Sequence, residues 1–311
     1  MKYVFAVTDT FQFENLNDTF ELIDEKFEAL VSRPYLAKHF TEKTWPVITK
    51  NQRDFFLLDS GAFSSWKSPK TYPPASIEDY IKVCKRVSKK IPNTICINLD
   101  VIPATFGRKP TRSEIDQACK DSMDHFIKMK EADLNVMPVF HQHDRWEYLD
   151  QYLEYDNPIL GISPANDMTT EQRKGFLDRC FRTVKLQQPC HGLAATAQPL
   201  LERYPFYSCD SASAIFGAGI GQIYKFKNNK LITTHYTNKE KAQKHFLNYY
   251  ADPKDKVERK KGPVSGRGYM KRRNNNIKEI RKLEKYITSL WEARGIDWSD
   301  HDLFKRTSHA N

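Results

Sequence analysis

Short apolar runs alternate with longer stretches of helical periodicity along most of the chain. The runs at 3–7, 55–59, 94–100, 136–140, 159–163, 191–195, 206–210 and 222–226 have the length and composition of buried strands. Clear helix starts fall between several of them. Thr111 and Glu114 form a capping box ahead of Ile115, Cys119, Met123 and Phe126, which share one helical face. Thr169 and Gln172 form a second, ahead of Leu177, Cys180, Phe181 and Val184, and Pro189 bars continuation of that helix. About eight strand–helix alternations imply a parallel sheet with right-handed crossovers, which predicts a closed (β/α)8 TIM-type barrel, with an open doubly wound sheet as the runner-up. The run at 222–226 also reads as one arm of a hairpin turning at Asn228 and Asn229. The expected organisation is a barrel catalytic domain over 1–235, then a basic, mainly helical extension over 236–311 that packs on the barrel. Within it, Ile277, Ile280, Ile287 and Leu290 share one face of a helix expected near 276–294.

Composition narrows the picture. The chain has 311 residues, 40% hydrophobic and 28% charged, enough for a sizeable core. No apolar run approaches membrane-span length, and the opening MKYVFAVTDTF has the wrong flanks for a signal peptide. Six cysteines lie scattered without Cys-x-x-Cys spacing, as small core residues of a reducing compartment would. These features point to a cytoplasmic protein with no membrane partner, and to no bound zinc. The net charge is +10, and between Lys254 and Arg273 nine Lys/Arg face two carboxylates, so +7 of it sits in one Gly-containing segment. That clustering suits a polyanion contact, with Lys260, Lys261, Arg272 and Arg273 as candidate phosphate ligands.

The chemistry is carried by carboxylates at the ends of apolar runs: FFLLD ends on Asp59, TICINLD on Asp100 and PFYSCD on Asp210. One aspartate after a strand commonly just caps the next helix. In a parallel barrel, however, all strand C-termini meet at one rim, so three such ends make a site. His141, Gln142 and His143 follow the MPVF run at the same rim. Paired carboxylates suit glycosyl chemistry, one attacking the anomeric carbon while the other handles the leaving group's proton. HQHD is a weak metal signal, since i and i+2 histidines on a strand face opposite ways.

These residues resemble a family. LLDSGAF is similar to the DSGGF motif of the tRNA-guanine transglycosylases, whose aspartate is the general acid/base and whose aromatic residue stacks on the purine; this implies those roles for Asp59 and Phe63. INLDV resembles the base-binding aspartate strand and matches Asp100. MPVFHQH stands where the family has a base-reading glutamine, with Gln142 or His141 as candidates. NPILGISP matches Gly161 to a base-contacting glycine. HGLAATAQPLLERYPFYSCDSAS resembles the segment leading to the nucleophile, giving Asp210, with His191 beside the purine.

The resemblance runs over about residues 50–220. The family's Cys/His zinc site and its C-terminal RNA-binding domain have no counterpart here, and Ala62 replaces the second Gly of DSGGF. The pattern is closest to the shorter phage and bacterial DNA 7-deazaguanine transglycosylases (the DpdA type). The implied activity is exchange of guanine in DNA for a free 7-deazaguanine, such as 7-cyano-7-deazaguanine, without a cofactor. A tRNA-guanine transglycosylase and a small-molecule glycosidase or nucleosidase are the alternatives.

Overall fold

A computed structural model describes residues 1–7, 18–19, 21, 25–39, 45–165, 167–235, 267–299, 301 and 303–304. The strands are β1 (Lys2–Val7), β2 (Phe27–Ser32), β3 (Gln52–Asp59), β4 (Thr94–Ile97), β5 (Val136–Met137), β6 (Val139–His141), β7 (Leu160–Ser163), β8 (Cys190–Gly192) and β9 (Ser208–Ser211). They form one sheet in the order β5-β4-β3-β2-β1-β9-β8-β7-β6, and every neighbouring pair is parallel. Its two ends are separated by Pro138 alone. Lacking an N–H, Pro138 interrupts the ladder, yet its carbonyl accepts from Gly161 N at 2.8 Å. β5 and β6 are thus two halves of one strand, and the sheet closes as an eight-stranded α/β barrel.

The helices are α1 (Arg33–His39), α2 (Trp45–Asn51), α3 (Ala62–Lys67), α4 (Ile77–Lys90), α5 (Arg112–Glu131), α6 (Trp146–Leu153), α7 (Thr170–Val184), α8 (Gln198–Leu201), α9 (Ser213–Gly219) and α10 (Arg267–Glu292). Both expected capping boxes form, with Thr111 starting α5 and Thr169 starting α7. All six cysteines are free and buried. Among the described residues, no helix is long and apolar enough to cross a membrane.

Two expectations need correction. The eighth barrel strand is β2, and 222–226 belongs instead to the antiparallel hairpin of β10 (Gln222–Lys227) and β11 (Lys230–His235). Asn228 and Asn229 adopt φ of 52° and 58°, the left-handed pair that a tight hairpin turn requires. The second correction concerns the basic segment. Lys260 and Lys261 lie outside the described residues, but α10 begins at Arg267, and Arg272 and Arg273 are 3% and 0% exposed. Arg272 Nε donates to Ala218 O at 3.0 Å, and Arg273 Nη2 donates to Thr19 Oγ1 at 3.0 Å. These two arginines hold the helix in place and do not present their charge to phosphates.

α10 docks through Tyr269, Ile277, Ile280, Leu283, Ile287 and Trp291, all buried, and four of them (Ile277, Ile280, Leu283 and Ile287) are 2% exposed or less. Its polar side chains complete the hairpin. Asn276 Oδ1 accepts from Tyr224 N at 2.8 Å, Glu279 Oε2 from Phe226 N at 2.6 Å, and Asn275 Nδ2 donates to Tyr224 O at 2.7 Å. Backbone groups of an open strand edge are thereby satisfied by helix side chains.

The strand register sorts the barrel interior into layers. Val4, Leu30, Leu57, Ile95, Ile97, Met137, Val139 and Ile159 form an apolar plug. At the N-terminal face Arg53 grips buried Glu28 with both nitrogens, at 2.7 and 2.6 Å, and reaches Glu284 of α10 at 2.8 Å. Burial pushes the Glu28 carboxyl up to about 7 despite Arg53. A cavity of about 580 Å³ opens at this face, lined by Lys2, Arg53, Asp54, Arg281 and Glu284 among others. The carboxylates expected to do chemistry lie at the opposite, C-terminal end.

Candidate active site

Lumen-facing positions at the C-terminal ends of the strands are polar: Ser32 on β2, Asp59 on β3, His141 on β6, Ser163 on β7 and Asp210 on β9, with Ser208 one layer down on β9. Registers Ser32↔Asp59, His141↔Ser163 and His191↔Ser208 set them side by side. Asp100 follows β4 and joins them through His141. Asp59, Asp100 and Asp210 therefore converge on one rim, as the sequence pattern predicts.

Asp59 ends the apolar run of β3. Ser32 Oγ donates to its Oδ2, and so does Gly61 N at 3.2 Å. Gly61 is required here: its φ is +78°, and a Cβ would lie 2.5 Å from Pro34 Cδ. Burial, reinforced by the Asp100 and Asp210 charges, pushes the Asp59 carboxyl up to about 6 against the opposing Ser32 and Gly61 hydrogen bonds. That environment favours the protonated form of Asp59.

Asp100 accepts from Ser60 Oγ at 3.4 Å, and its Oδ2 lies 2.8 Å from His141 Nε2. Burial works to lower the His141 pKa, but the Asp100 hydrogen bond and the Asp144 and Asp100 charges outweigh it, raising it to about 9. At neutral pH His141 is therefore held as the imidazolium. Asp144 also accepts from His141 N at 2.7 Å, which fixes the strand end. Gln142 is committed differently: its Oε1 accepts from Ala165 N at 2.9 Å, tying down the loop after β7. Between the two candidates for reading a base, His141 is the one paired with Asp100.

Asp210 is 13% exposed at the side chain, and its Oδ1 is held twice, 3.2 Å from His191 Nε2 and 3.0 Å from Ala194 N. Ala194 takes a φ of 50°, a left-handed conformation unusual for alanine, and that turn aims its N–H at the carboxylate. His191 is fully buried, with its other nitrogen 2.8 Å from Ser208 Oγ. It lies beneath Asp210 and offers no ring face to the mouth, so the place beside a purine expected of His191 is not open to one. Its place is that of a support for Asp210.

Gly161 faces the lumen one layer down, where a Cβ would come within 3.0 Å of Leu193 Cδ1 and 3.1 Å of Pro138 O. Close packing of the barrel is what its missing side chain serves in this structure. Phe63 is 56% exposed at the mouth, and its ring centroid is 5.9 Å from that of Trp66. It is open to stacking. Sequence reading missed Ser32 and Ala194 as partners of the two key carboxylates. The first sits in a strand that was itself missed, and the second acts through its backbone, which no side-chain pattern marks. Among the described residues, no group of three or more His, Cys, Asp or Glu side chains is arranged to hold a metal ion.

No protein-family model matches the chain. No curated protein matches it either. Similar solved structures include an L-ribulose 3-epimerase (9% identity, TM-score 0.49, covering 95% of this chain and 98% of that one). A putative fructose-1,6-bisphosphate aldolase from Coccidioides immitis has 9% identity and a TM-score of 0.48, covering 95% and 92% of the two chains. An aldolase from Escherichia coli K12 has 9% identity and a TM-score of 0.46, covering 94% and 92%.

Proposed function

We propose that the protein is a base-exchange transglycosylase that replaces guanine in DNA with a free 7-deazaguanine. The observation that carries this reading is the unequal pair of rim carboxylates. Asp59 is half-buried and holds a proton up to about pH 6, while Asp210 has one oxygen fixed by His191 and Ala194, leaving the other for attack.

A target guanosine must leave the stack to reach such a rim, at a cost of a few kcal/mol for a paired base. Phe63 stacks on the extruded base. Asp100 accepts from its N1–H and 2-amino group, and His141 holds that carboxylate in place through its Oδ2. The free Asp210 oxygen forms a bond to C1′ as the C1′–N9 bond breaks, and Asp59 gives its proton to the departing guanine. The incoming base then loses its N9 proton to Asp59, its N9 attacks C1′, and the Asp210 ester bond breaks. Two inversions retain configuration, the phosphodiester backbone stays intact, and each atom and electron pair is returned.

The test is incubation of the protein with DNA and 7-cyano-7-deazaguanine, followed by digestion and nucleoside mass spectrometry. The reading predicts a 7-deazaguanine deoxynucleoside and an equal amount of released guanine. Labelling of tRNA by guanine, with duplex and single-stranded DNA left unlabelled, would replace it with the tRNA alternative.

A further inference from the structure

At the mouth, the loop after β3, with α3, and the loop after β4 form one lip. Trp66 Nε1 donates to Ala104 O at 2.8 Å, joining the two segments. Trp66 packs edge-on to Phe106 with centroids 5.0 Å apart, and Phe63 lies 5.9 Å away on its other side. Phe106 is 53% exposed, and Lys67 Nζ stands 5.9 Å from the centre of its ring. Across residues 60–76 and 101–113 there are five cations (Lys67, Lys70, Arg108, Lys109 and Arg112) and no carboxylate. A contiguous group of exposed and half-buried rings with a polar rim, as Phe63, Trp66 and Phe106 form, marks a contact surface. Arg108 is paired with Glu114, but Lys67, Lys70 and Lys109 stand exposed beside the rings, and rings set among such cations suit a polyanion that carries flat faces of its own.

We propose that this lip is the binding surface for unpaired DNA strand flanking the target nucleotide. An unpaired strand offers free base faces to Phe106 and phosphates to Lys67, Lys70 and Lys109. A duplex keeps its base faces stacked inside, which leaves the aromatic groups without a partner. The surface sits at the rim that holds Asp59, so strand bound here leads its next base into the site. It takes the role that buried Arg272 and Arg273 cannot. The choice of DNA rests on the base-exchange reading; the aromatic and basic character of the lip does not.

Fluorescence anisotropy of a short labelled oligodeoxynucleotide, measured over a salt series, tests this without requiring catalysis. Single-stranded DNA should bind more tightly than its duplex. Phe106→Ala should weaken binding about tenfold, the order that loss of one base–aromatic stack gives. The combined variant Lys67→Gln, Lys70→Gln, Lys109→Gln should flatten the log–log salt slope by about 0.7 for each lysine that neutralises a phosphate. All four side chains are exposed, and unchanged melting temperatures will show that the fold is intact. Unchanged affinity and slope in both variants would overturn the proposal, as would tighter binding of the matching RNA. Lip-dependent DNA binding by a protein that exchanges no base would uphold the surface and remove only the base-exchange reading.

Discussion

Asp59 carries two opposed consequences of one environment. Its folded pKa of about 6 lies above the ordinary aspartate value, so the folded state resists its ionisation. Stability is therefore unaffected below about pH 4 and is lost as pH rises through about 6, a penalty on the order of 3 kcal/mol when complete. Asp59→Asn should abolish exchange while making the protein more stable to urea at pH 8, with no gain at pH 4. Guanine release in a single turnover should likewise fall as pH climbs above about 6, because the proton donor is spent. A flat profile from pH 5 to 8 would contradict Asp59 as the acid. His191 acts one step removed, by holding Asp210. His191→Ala should lower kcat by tens-fold, leave KM and DNA binding nearly unchanged, and slow formation of any covalent intermediate. A rise in KM with kcat unchanged would instead assign His191 to base binding.

Elements show where the sequence was legible and where it was not. The two capping boxes were readable because the signal is local: a Thr, and a Glu or Gln three residues on, satisfy each other's backbone. The strand 27–32 was not readable, because Glu28 occupies a lumen position and breaks the apolar run. Its partner Arg53 comes from the next strand, and no single-strand pattern encodes that pairing. The 222–226 run was placed in the barrel because an apolar run does not state its partner; the turn at Asn228 and Asn229 was the better signal. The start of α10 was set too late because RGYMKRRNNN reads as a charged linker until Asn275 and Asn276 are seen bonding β10. Asn276 is 0% exposed, so Asn276→Ala would leave buried backbone groups of β10 unpaired. It should cost about 1–3 kcal/mol in denaturant unfolding. No loss of stability would mean that α10 does not hold the hairpin by these bonds.

For the whole molecule, the barrel separates stability from chemistry along its axis. An ion network of Glu28, Arg53 and Glu284 lies at one end, an apolar plug fills the middle, and the rim carboxylates occupy the other. Three of the candidate site residues, Asp59, Asp100 and Asp210, were legible because each ends an apolar run, and the parallel topology brings such ends together. The supporting groups, Ser32, His191 and the Ala194 N–H, depend on register and on one unusual backbone angle, which appear only in three dimensions. What unites the rim is the claim that Asp210 forms a bond to deoxyribose. The direct measurement is denaturing electrophoresis of the protein after incubation with end-labelled DNA and no incoming base, with mass spectrometry of the shifted band. The account predicts a denaturation-resistant adduct on Asp210 in the wild type, discharged on adding 7-cyano-7-deazaguanine and missing in Asp210→Ala. An adduct that persists in Asp210→Ala, or base exchange by that variant at a rate near the wild type's, would contradict it.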